Sequence, residues 1–423
     1  MVIQAIQARE ILDSRGLPTV EVSLWTDDGH EVTTAVPAGT SLGKHEAVEL
    51  RDKQAEYMQG MGVQKAIQAV NEVLAPQIVG MDPTQQTLCD QKLVDLDGTP
   101  NKSKLGANAI LAVSQAVLKA GAHSVNMPLF WYIREKYQMT PKLQIPIPMF
   151  TMVSGGKHGT GNLDIQEFQL IPASNFTFAQ SLNIGVTLYQ EFGKVLKSKG
   201  AIHSVGIGGG YAPNLFHNID VFELLIETMH YTQFVFARDV FFGLDVGADE
   251  LLQGTKYVIK DKSQPFSPTE LLEYYQMLNK TYHVISIEDG FSEDNWKEWN
   301  NLTTTMGDTV MIVGDNLITT NKERIEKAIQ EKACNAVLIK PNQIGTISET
   351  VEVIKLSRDA GMKLIISHRS GETNDDLIAD FAVGLGADYV KFGAPARGER
   401  VSKYNRLSAI DNMLQAWQAS GAI

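Results

Sequence analysis

The chain has 423 residues, of which 43% are hydrophobic and 20% are charged, and its 37 Lys and Arg against 49 Asp and Glu give a formal net charge of −12. A chain of this length and composition is expected to fold into two or three domains, or into one large barrel with an attached domain, and not to be disordered. The acidic balance, without a basic cluster, argues against nucleic acid as a partner.

The sequence carries no sign of export or of membrane insertion. The N-terminal residues MVIQAIQARE lack a basic region followed by an apolar core, so we expect no signal peptide. The longest uncharged stretch, residues 168–190, is interrupted by Pro172 and polar residues, so we expect no membrane span. Two isolated cysteines, Cys89 and Cys334, exclude a disulfide framework and a thiolate zinc site, and a reducing, cytoplasmic location is predicted.

The first third of the sequence indicates an α+β domain. Residues 20–24 and 32–36 alternate apolar and polar side chains on either side of Asp28-Gly29, which predicts a β-hairpin. Apolar residues spaced for one helix face follow within 67–74, and residues 106–124 form a longer, largely apolar helical segment.

The composition changes at a proline-punctuated stretch, so we place a domain boundary between residues 1–138 and residues 139–423. In the second part, short apolar runs end in polar or charged residues 23 to 43 positions apart, and segments 321–332 and 348–360 between them have helical periodicity. A doubly wound sheet is the alternative, but a TIM-type (β/α)8 barrel brings every strand end to one site. We therefore predict an N-terminal α+β capping domain on a TIM-type (β/α)8 barrel. The run ends are Asp245, Glu288-Asp289, Asp315, Lys340, His368-Arg369-Ser370 and Lys391.

Three of these run ends are carboxylates. A single Asp at a strand end is usually the cap of the next helix, but Asp245, Glu288 and Asp315 occur in successive units. At a barrel mouth they would repel one another, and carboxylate oxygens are the ligands that Mg²⁺ prefers. The pattern therefore predicts a Mg²⁺ site.

Two lysines and a basic tripeptide would face the same cavity. Lys340 and Lys391 end two later strands, and bound Mg²⁺ together with a second ammonium should lower the pKa of Lys340 enough for it to act as a general base. Arg369, between His368 and Ser370, suits forked recognition of a phosphate. These groups together predict proton abstraction beside a carboxylate in a small phosphorylated substrate.

Eight segments resemble enolase, the phosphopyruvate hydratase of glycolysis, in register over nearly the whole chain. The resemblance implies Mg²⁺-dependent, reversible dehydration of 2-phosphoglycerate to phosphoenolpyruvate, with two Mg²⁺ ions. Enzymes of this superfamily use a Lys or His base, together with Mg²⁺ ions that stabilise an ene-diolate. The segments are DSRGLPTVEV (13–22), DLDGT (95–99), NKSKLGANAILAVS (101–114), DIQEF (164–168), SIEDG (286–290), NQIGT (342–346), SHRSGET (367–373) and GAPAR (393–397).

The resemblance also implies a role for each site residue. In enolases the base removes the proton from C2 of the substrate, a second lysine stabilises the dianion, and a mobile loop closes over the substrate and contributes to a second Mg²⁺ site. The implied catalytic residues are Lys340, Glu167 and His158; the implied substrate-binding residues are Ser41, Gln166, His368, Arg369, Ser370 and Lys391; the implied metal ligands are Asp245, Glu288, Asp315 and Ser41.

One departure from the family pattern concerns the general acid. Enolases carry GDEGG before the sequence YAPN, and the Glu of that motif helps the C3 hydroxyl to leave. Here Ile207 and Gly208 stand at the Asp and Glu positions, and Asn316 stands where a second Asp usually follows the metal ligand. General acid catalysis contributes about 10² to 10⁴ in rate, or roughly 3 to 5.5 kcal/mol of barrier, so reduced activity is expected.

Two other functions stay open at this point. One is proton abstraction on a related carboxylate without elimination, and the other is a non-catalytic binding protein on an enolase scaffold. The resemblance further implies a homo-oligomer, either a dimer or a ring of dimers. Because some enolases occur at cell surfaces, a secondary cell-surface presence is a further expectation.

Overall fold

The N-terminal part of the protein contains a three-stranded antiparallel sheet. In the computed structural model, which describes residues 1–159 and 161–421, β1 (Ile3–Leu12), β2 (Pro18–Thr26) and β3 (Glu31–Ala35) lie side by side in that order. The predicted hairpin is confirmed, since β2 and β3 are antiparallel. Gly29 turns the chain between them at a φ of 83°, a conformation that glycine adopts readily because it has no Cβ.

Helices cover one face of this sheet. The predicted apolar helix is confirmed as α4 (Ala107–Ser124), and its Ile110 and Val117 share a core with Val22 of β2. Fully burying a side chain of this size stabilises the fold by about 1.5–3 kcal/mol. The other helical segments of this part are α1 (Gln64–Gln68), a π-helical segment (Ala69–Leu74), α2 (Ala75–Ile78), α3 (Gln86–Asp97), α5 (Leu129–Tyr137) and a short 3-10 turn (Met58–Gly60).

The rest of the chain is built on a nine-stranded sheet. Its strands are β4 (Ile147–Pro148), β5 (Phe150–Ser154), β6 (Glu167–Pro172), β7 (Val240–Asp245), β10 (Val284–Glu288), β11 (Met311–Gly314), β12 (Ala336–Ile339), β13 (Lys363–Ser367) and β14 (Tyr389–Lys391), and a separate hairpin contains β8 (Leu252–Gln253) and β9 (Lys256–Tyr257). The order across the sheet is β4-β14-β13-β12-β11-β10-β7-β6-β5. β4 pairs with β14 and β5 pairs with β6, and only Met149 separates β4 from β5. The two edges of the sheet therefore meet, as in the predicted barrel.

The strands that end in the predicted polar residues are parallel to one another from β7 through β14. β6 is different, because it runs antiparallel to both β5 and β7. The barrel therefore departs from an all-parallel (β/α)8 order at this point. As a consequence Glu167, at the beginning of β6, lies opposite Asp245, at the end of β7.

Helices connect the parallel strands, as the spacing predicted. The two predicted amphipathic helices are confirmed, and the Asn321 side chain accepts a hydrogen bond from the Arg324 backbone N–H at the beginning of the first. Among residues 1–159 and 161–421, no helix is long and apolar enough to cross a membrane. The domain boundary at residues 138 and 139 stays a prediction. The helices of this part are α6 (Phe178–Ser198), α7 (Ile219–Met229), α8 (Pro268–Tyr282), α9 (Trp296–Met306), α10 (Lys322–Glu331), α11 (Ile347–Asp359), α12 (Leu377–Gly384) and α13 (Gly398–Ser420), with 3-10 turns at Gly156–His158, Ala248–Glu250 and Pro341–Gln343.

Candidate active site

A cavity of about 320 Å³ opens where the strand ends meet. It is lined by residues from the barrel strands and by the loop that follows β3, which we call the lid loop (residues 36–47). Glu288 lies just outside the lining but contacts Lys391, which belongs to it. The predicted site residues that line the cavity are Ser41, His158, Gln166, Glu167, Asp245, Asp315, Lys340, His368, Arg369, Ser370 and Lys391.

Lys391 is the centre of a buried ion cluster. Its Nζ lies 2.9 Å from Asp245 Oδ2, 2.7 Å from Glu288 Oε2 and 3.5 Å from Glu167 Oε2. Burial acts to lower the pKa of Lys391, but the Asp245 and Glu288 carboxylates outweigh it and hold that pKa well above its usual value. Lys391 is therefore a permanent cation at the floor of the cavity.

Lys340 is held at the end of β12 by a second carboxylate. Its ammonium forms an ion pair with Asp315 Oδ2, while Gln343 Nε2 donates to Asp315 Oδ1 over 2.9 Å. Burial alone would raise the pKa of Asp315, but Lys340 outweighs burial and lowers it. The extended backbone of Lys340, with φ −135° and ψ 105°, suits the residue that precedes Pro341.

Basic groups from the end of β13 form another wall of the cavity. Arg369 Nη1 lies 2.9 Å from Glu46 Oε2 of the lid loop and 3.2 Å from Asn342 Oδ1. Ser370 Oγ accepts a 2.7 Å hydrogen bond from the Thr40 backbone N–H. His368 is neutral, because burial, together with the Arg400 guanidinium, holds its pKa well below the usual value.

Comparison with known proteins identifies the family. Residues 3–133 match the family model described as "Enolase, N-terminal domain", and residues 142–420 match "Enolase, C-terminal TIM barrel domain". A protein named Enolase from Acidothermus cellulolyticus is 47% identical over 414 residues, which are 98% of this chain and 95% of that protein. The chain belongs to the enolase family. The predicted enolase resemblance and barrel fold are therefore confirmed.

The lid loop of this enolase-family chain is docked on the barrel by polar contacts that the sequence did not indicate. The Lys44 backbone N–H donates to Glu293 Oε2 over 3.1 Å, and the Lys44 ammonium lies 3.2 Å from Glu293 Oε1. Ser41 Oγ donates to Gln166 Oε1 over 3.5 Å, and Gln166 Nε2 donates to Asp245 Oδ2 over 3.2 Å. Ser41 is thereby linked to the carboxylate cluster through one amide.

Asp289 is a further site residue, to which the sequence analysis assigned no role although it ends a predicted strand together with Glu288. It follows Glu288, lines the cavity, and adopts a φ of 45°, which is rare for a residue other than glycine. Its Oδ1 accepts the Asp315 backbone N–H over 3.1 Å, and its Oδ2 accepts the Asn316 backbone N–H over 3.0 Å. The carboxylate therefore orients the turn that carries Asp315. The only signal in the sequence is its position next to Glu288.

The carboxylates fit a divalent cation by their chemistry and by their charge. Five carboxylates are buried here, and four of them lie within ion-pair distance of Lys340 or Lys391. Burial and the neighbouring Asp245 carboxylate raise the pKa of Glu288 well above its usual value, which is the effect of crowding acidic groups in a buried place. Within the described part of the chain, no three His, Cys, Asp or Glu side chains are arranged to hold a metal ion as they stand. The five carboxylates are Glu167, Asp245, Glu288, Asp289 and Asp315.

Gly208, which the family resemblance predicts to stand at the general-acid position, lies beside Glu167. Among the described residues, a Cβ added at Gly208 would have one neighbour within 4 Å, Glu167 Oε1 at 3.4 Å, and the backbone there does not require glycine. The same Glu167 oxygen lies 3.1 Å from His158 Nδ1. Burial alone would raise the pKa of Glu167, but Lys391 and His158 hold it well below the usual value, so Glu167 is ionised and is a poor proton donor.

Proposed function

We propose that this enolase-family chain catalyses the reversible dehydration of 2-phosphoglycerate to phosphoenolpyruvate with Mg²⁺, at a rate limited by elimination. The observation that carries the proposal is that three basic side chains and two carboxylates line the same cavity. These residues are Lys340, Lys391, Arg369, Asp245 and Asp315. These are the groups that proton abstraction beside a carboxylate requires.

The abstraction half of the reaction follows from the geometry of the lysines. Lys340 would take the C2 proton, after release from Asp315, and Lys391 would stabilise the charge that develops on the substrate carboxylate. Arg369 and Ser370 would hold the phosphate. The Arg369 guanidinium would then either bind the phosphate and Glu46 together or release Glu46. Asp245, Glu288 and Asp315 would hold Mg²⁺, which when bound supplies positive charge beside the reacting carboxylate.

The elimination half lacks a dedicated carboxylic acid at Gly208. Of the two other predicted catalytic groups, Glu167 is held ionised and His158 contacts it. In this proposal the proton for departure of the C3 hydroxyl is delivered through His158. Without an acid in place, general acid catalysis contributes less than its usual 10² to 10⁴ in rate, and turnover is reduced accordingly.

A coupled assay of phosphoenolpyruvate formation from 2-phosphoglycerate with Mg²⁺ tests the proposal. Lys340→Ala should abolish the slow turnover, whereas Lys297→Ala, which removes an exposed lysine, should leave it unchanged. Turnover that survives Lys340→Ala would refute the assigned base. A chain with neither turnover nor Mg²⁺-dependent calorimetric binding of 2-phosphoglycerate would instead be a binding protein on an enolase scaffold.

The family also supports proposals about location and assembly. We infer a cytoplasmic protein that forms a homo-oligomer, either a dimer or a ring of dimers, and that binds no nucleic acid. A formal net charge of −12 supports the last point, because a phosphate backbone would be repelled. Light scattering after size-exclusion chromatography would give the oligomeric state, and a mass equal to one chain would refute the homo-oligomer.

A further inference from the structure

A second polar row crosses the inside of the barrel directly beneath the carboxylate row. In register across β6, β7 and β10, Glu167 lies opposite Asp245, and Asp245 opposite Glu288. Two residues further from the cavity, Gln169 lies opposite Gly243, and Gly243 opposite Ser286. Because alternate residues of a strand face the same side, this second row points into the barrel as the carboxylates do.

The polar side chains of this row are fully buried, and none has a hydrogen-bond partner among the described residues. Gln169 and Ser286 are both 0% exposed, and Gln169 Nε2, Gln169 Oε1 and Ser286 Oγ are all unpaired. A buried polar group without a partner is strongly disfavoured, so groups of this kind are almost always paired with protein or with ordered water. Three such atoms in one place point to a shared partner.

Gly243 lies between the two side chains of the row. A Cβ at this position would lie 2.9 Å from Gln169 Oε1, 3.0 Å from Ile171 Cδ1 and 3.3 Å from the Ser286 Cβ, so these side chains converge on the space that the glycine leaves free of a side chain. An apolar cluster packs against the inside of the barrel, and its member Ile171 lies two residues beyond Gln169 on β6, away from the Lys391 ion cluster. The row is therefore polar and enclosed. The members of the apolar cluster are Met149, Ile171, Val313, Ala336, Leu338 and Ile365.

We propose that Gln169, Gly243 and Ser286 form an internal water-binding site beneath the carboxylate row. A water molecule there donates to Gln169 Oε1 and Ser286 Oγ and accepts from Gln169 Nε2, which satisfies all three unpaired atoms. Thr151 lies opposite Gln169 on β5, and its Oγ1 donates a 3.2 Å hydrogen bond to Glu167 Oε2. Thr151 therefore links the second row to the carboxylate row. The water thereby completes a polar layer that supports the cavity floor.

A high-resolution crystal structure of the full chain tests the site directly. We expect water density within hydrogen-bonding distance of the Gln169 amide and Ser286 Oγ. A dry barrel, or a Gln169 amide turned to bond Ser286 directly, would overturn the proposal, and neither result depends on a variant that folds.

Water oxygen-17 relaxation dispersion in solution gives an independent count of long-lived internal waters. The double variant Gln169→Leu with Ser286→Ala should lose at least one such water relative to the parent. Gln330→Leu, the same replacement on the surface, should lose none. If the double variant folds and keeps the full count, the site is refuted; if it fails to fold, Ser286→Ala alone should still shorten the residence time of one internal water, and an unchanged residence time would overturn the site.

Discussion

Gly208→Glu should restore the missing acid and accelerate dehydration. Within the described part of the chain, a Cβ at this position meets only Glu167 Oε1, at ordinary van der Waals distance, so we expect little strain from the new side chain. The Glu167 carboxylate is ionised, and a like charge nearby raises the pKa of the new Glu, which keeps part of it protonated at neutral pH. A protonated acid at this place should recover about 10² to 10⁴ in rate, which is roughly 3 to 5.5 kcal/mol of barrier.

Phosphoenolpyruvate formation, followed by a coupled assay with Mg²⁺, measures this gain as a rise in kcat. Gly208→Gln is the matched control, because its amide fills the same space and has no acidic proton to transfer, and it should stay at the parental rate. Ile207→Asp together with Gly208→Glu should be at least as fast as the single variant. A Gly208→Glu variant that is folded, binds 2-phosphoglycerate and yet turns over no faster than Gly208→Gln would refute the reasoning.

Three further predictions concern the buried charges and hydroxyls. Lys391→Met removes the buried cation that pairs with Asp245 and Glu288, so urea unfolding should show a loss of about 3–5 kcal/mol, and an unchanged midpoint would contradict the ion cluster. Arg369→Lys removes the fork that contacts Glu46, so KM for 2-phosphoglycerate should rise at least tenfold while the fold is kept. Burial disfavours the phenolate of Tyr132 and raises its pKa from the ordinary value near 10 to about 12, so the stability of the fold should fall as pH rises from 10 to 12. Tyr132→Phe should therefore reduce this loss of stability by about 3 kcal/mol, measured by urea unfolding at each pH.

The positions of the strand-end residues could be predicted because each depends on a local pattern. An apolar run followed by Asp245 or by Lys340 defines a strand and its end within a few residues, and the barrel topology then brings the ends together. The hairpin around Gly29 and the helix α4 were predictable for the same reason. Each of these elements is specified by neighbours in sequence.

The contacts that decide the charge balance could not be predicted in this way. Lys391 meets Asp245 across the barrel at a sequence separation of 146 residues, and Arg369 meets Glu46 at a separation of 323 residues. The antiparallel direction of β6, which turns Glu167 toward Asp245, likewise depends on how the chain enters the sheet. The sequence around each of these residues does not indicate which distant residue it will contact.

Hydrogen exchange at C2 of 2-phosphoglycerate in deuterated water, measured beside phosphoenolpyruvate formation with Mg²⁺, separates the two halves of the proposed reaction. In the proposed site the abstraction half is intact and the elimination half lacks its acid. We predict that exchange at C2 is faster than elimination by about 10² or more, since the acid contributes about that much. Elimination as fast as exchange would show that another group already supplies the proton, and the absence of exchange would show that Lys340 is not a working base in this chain.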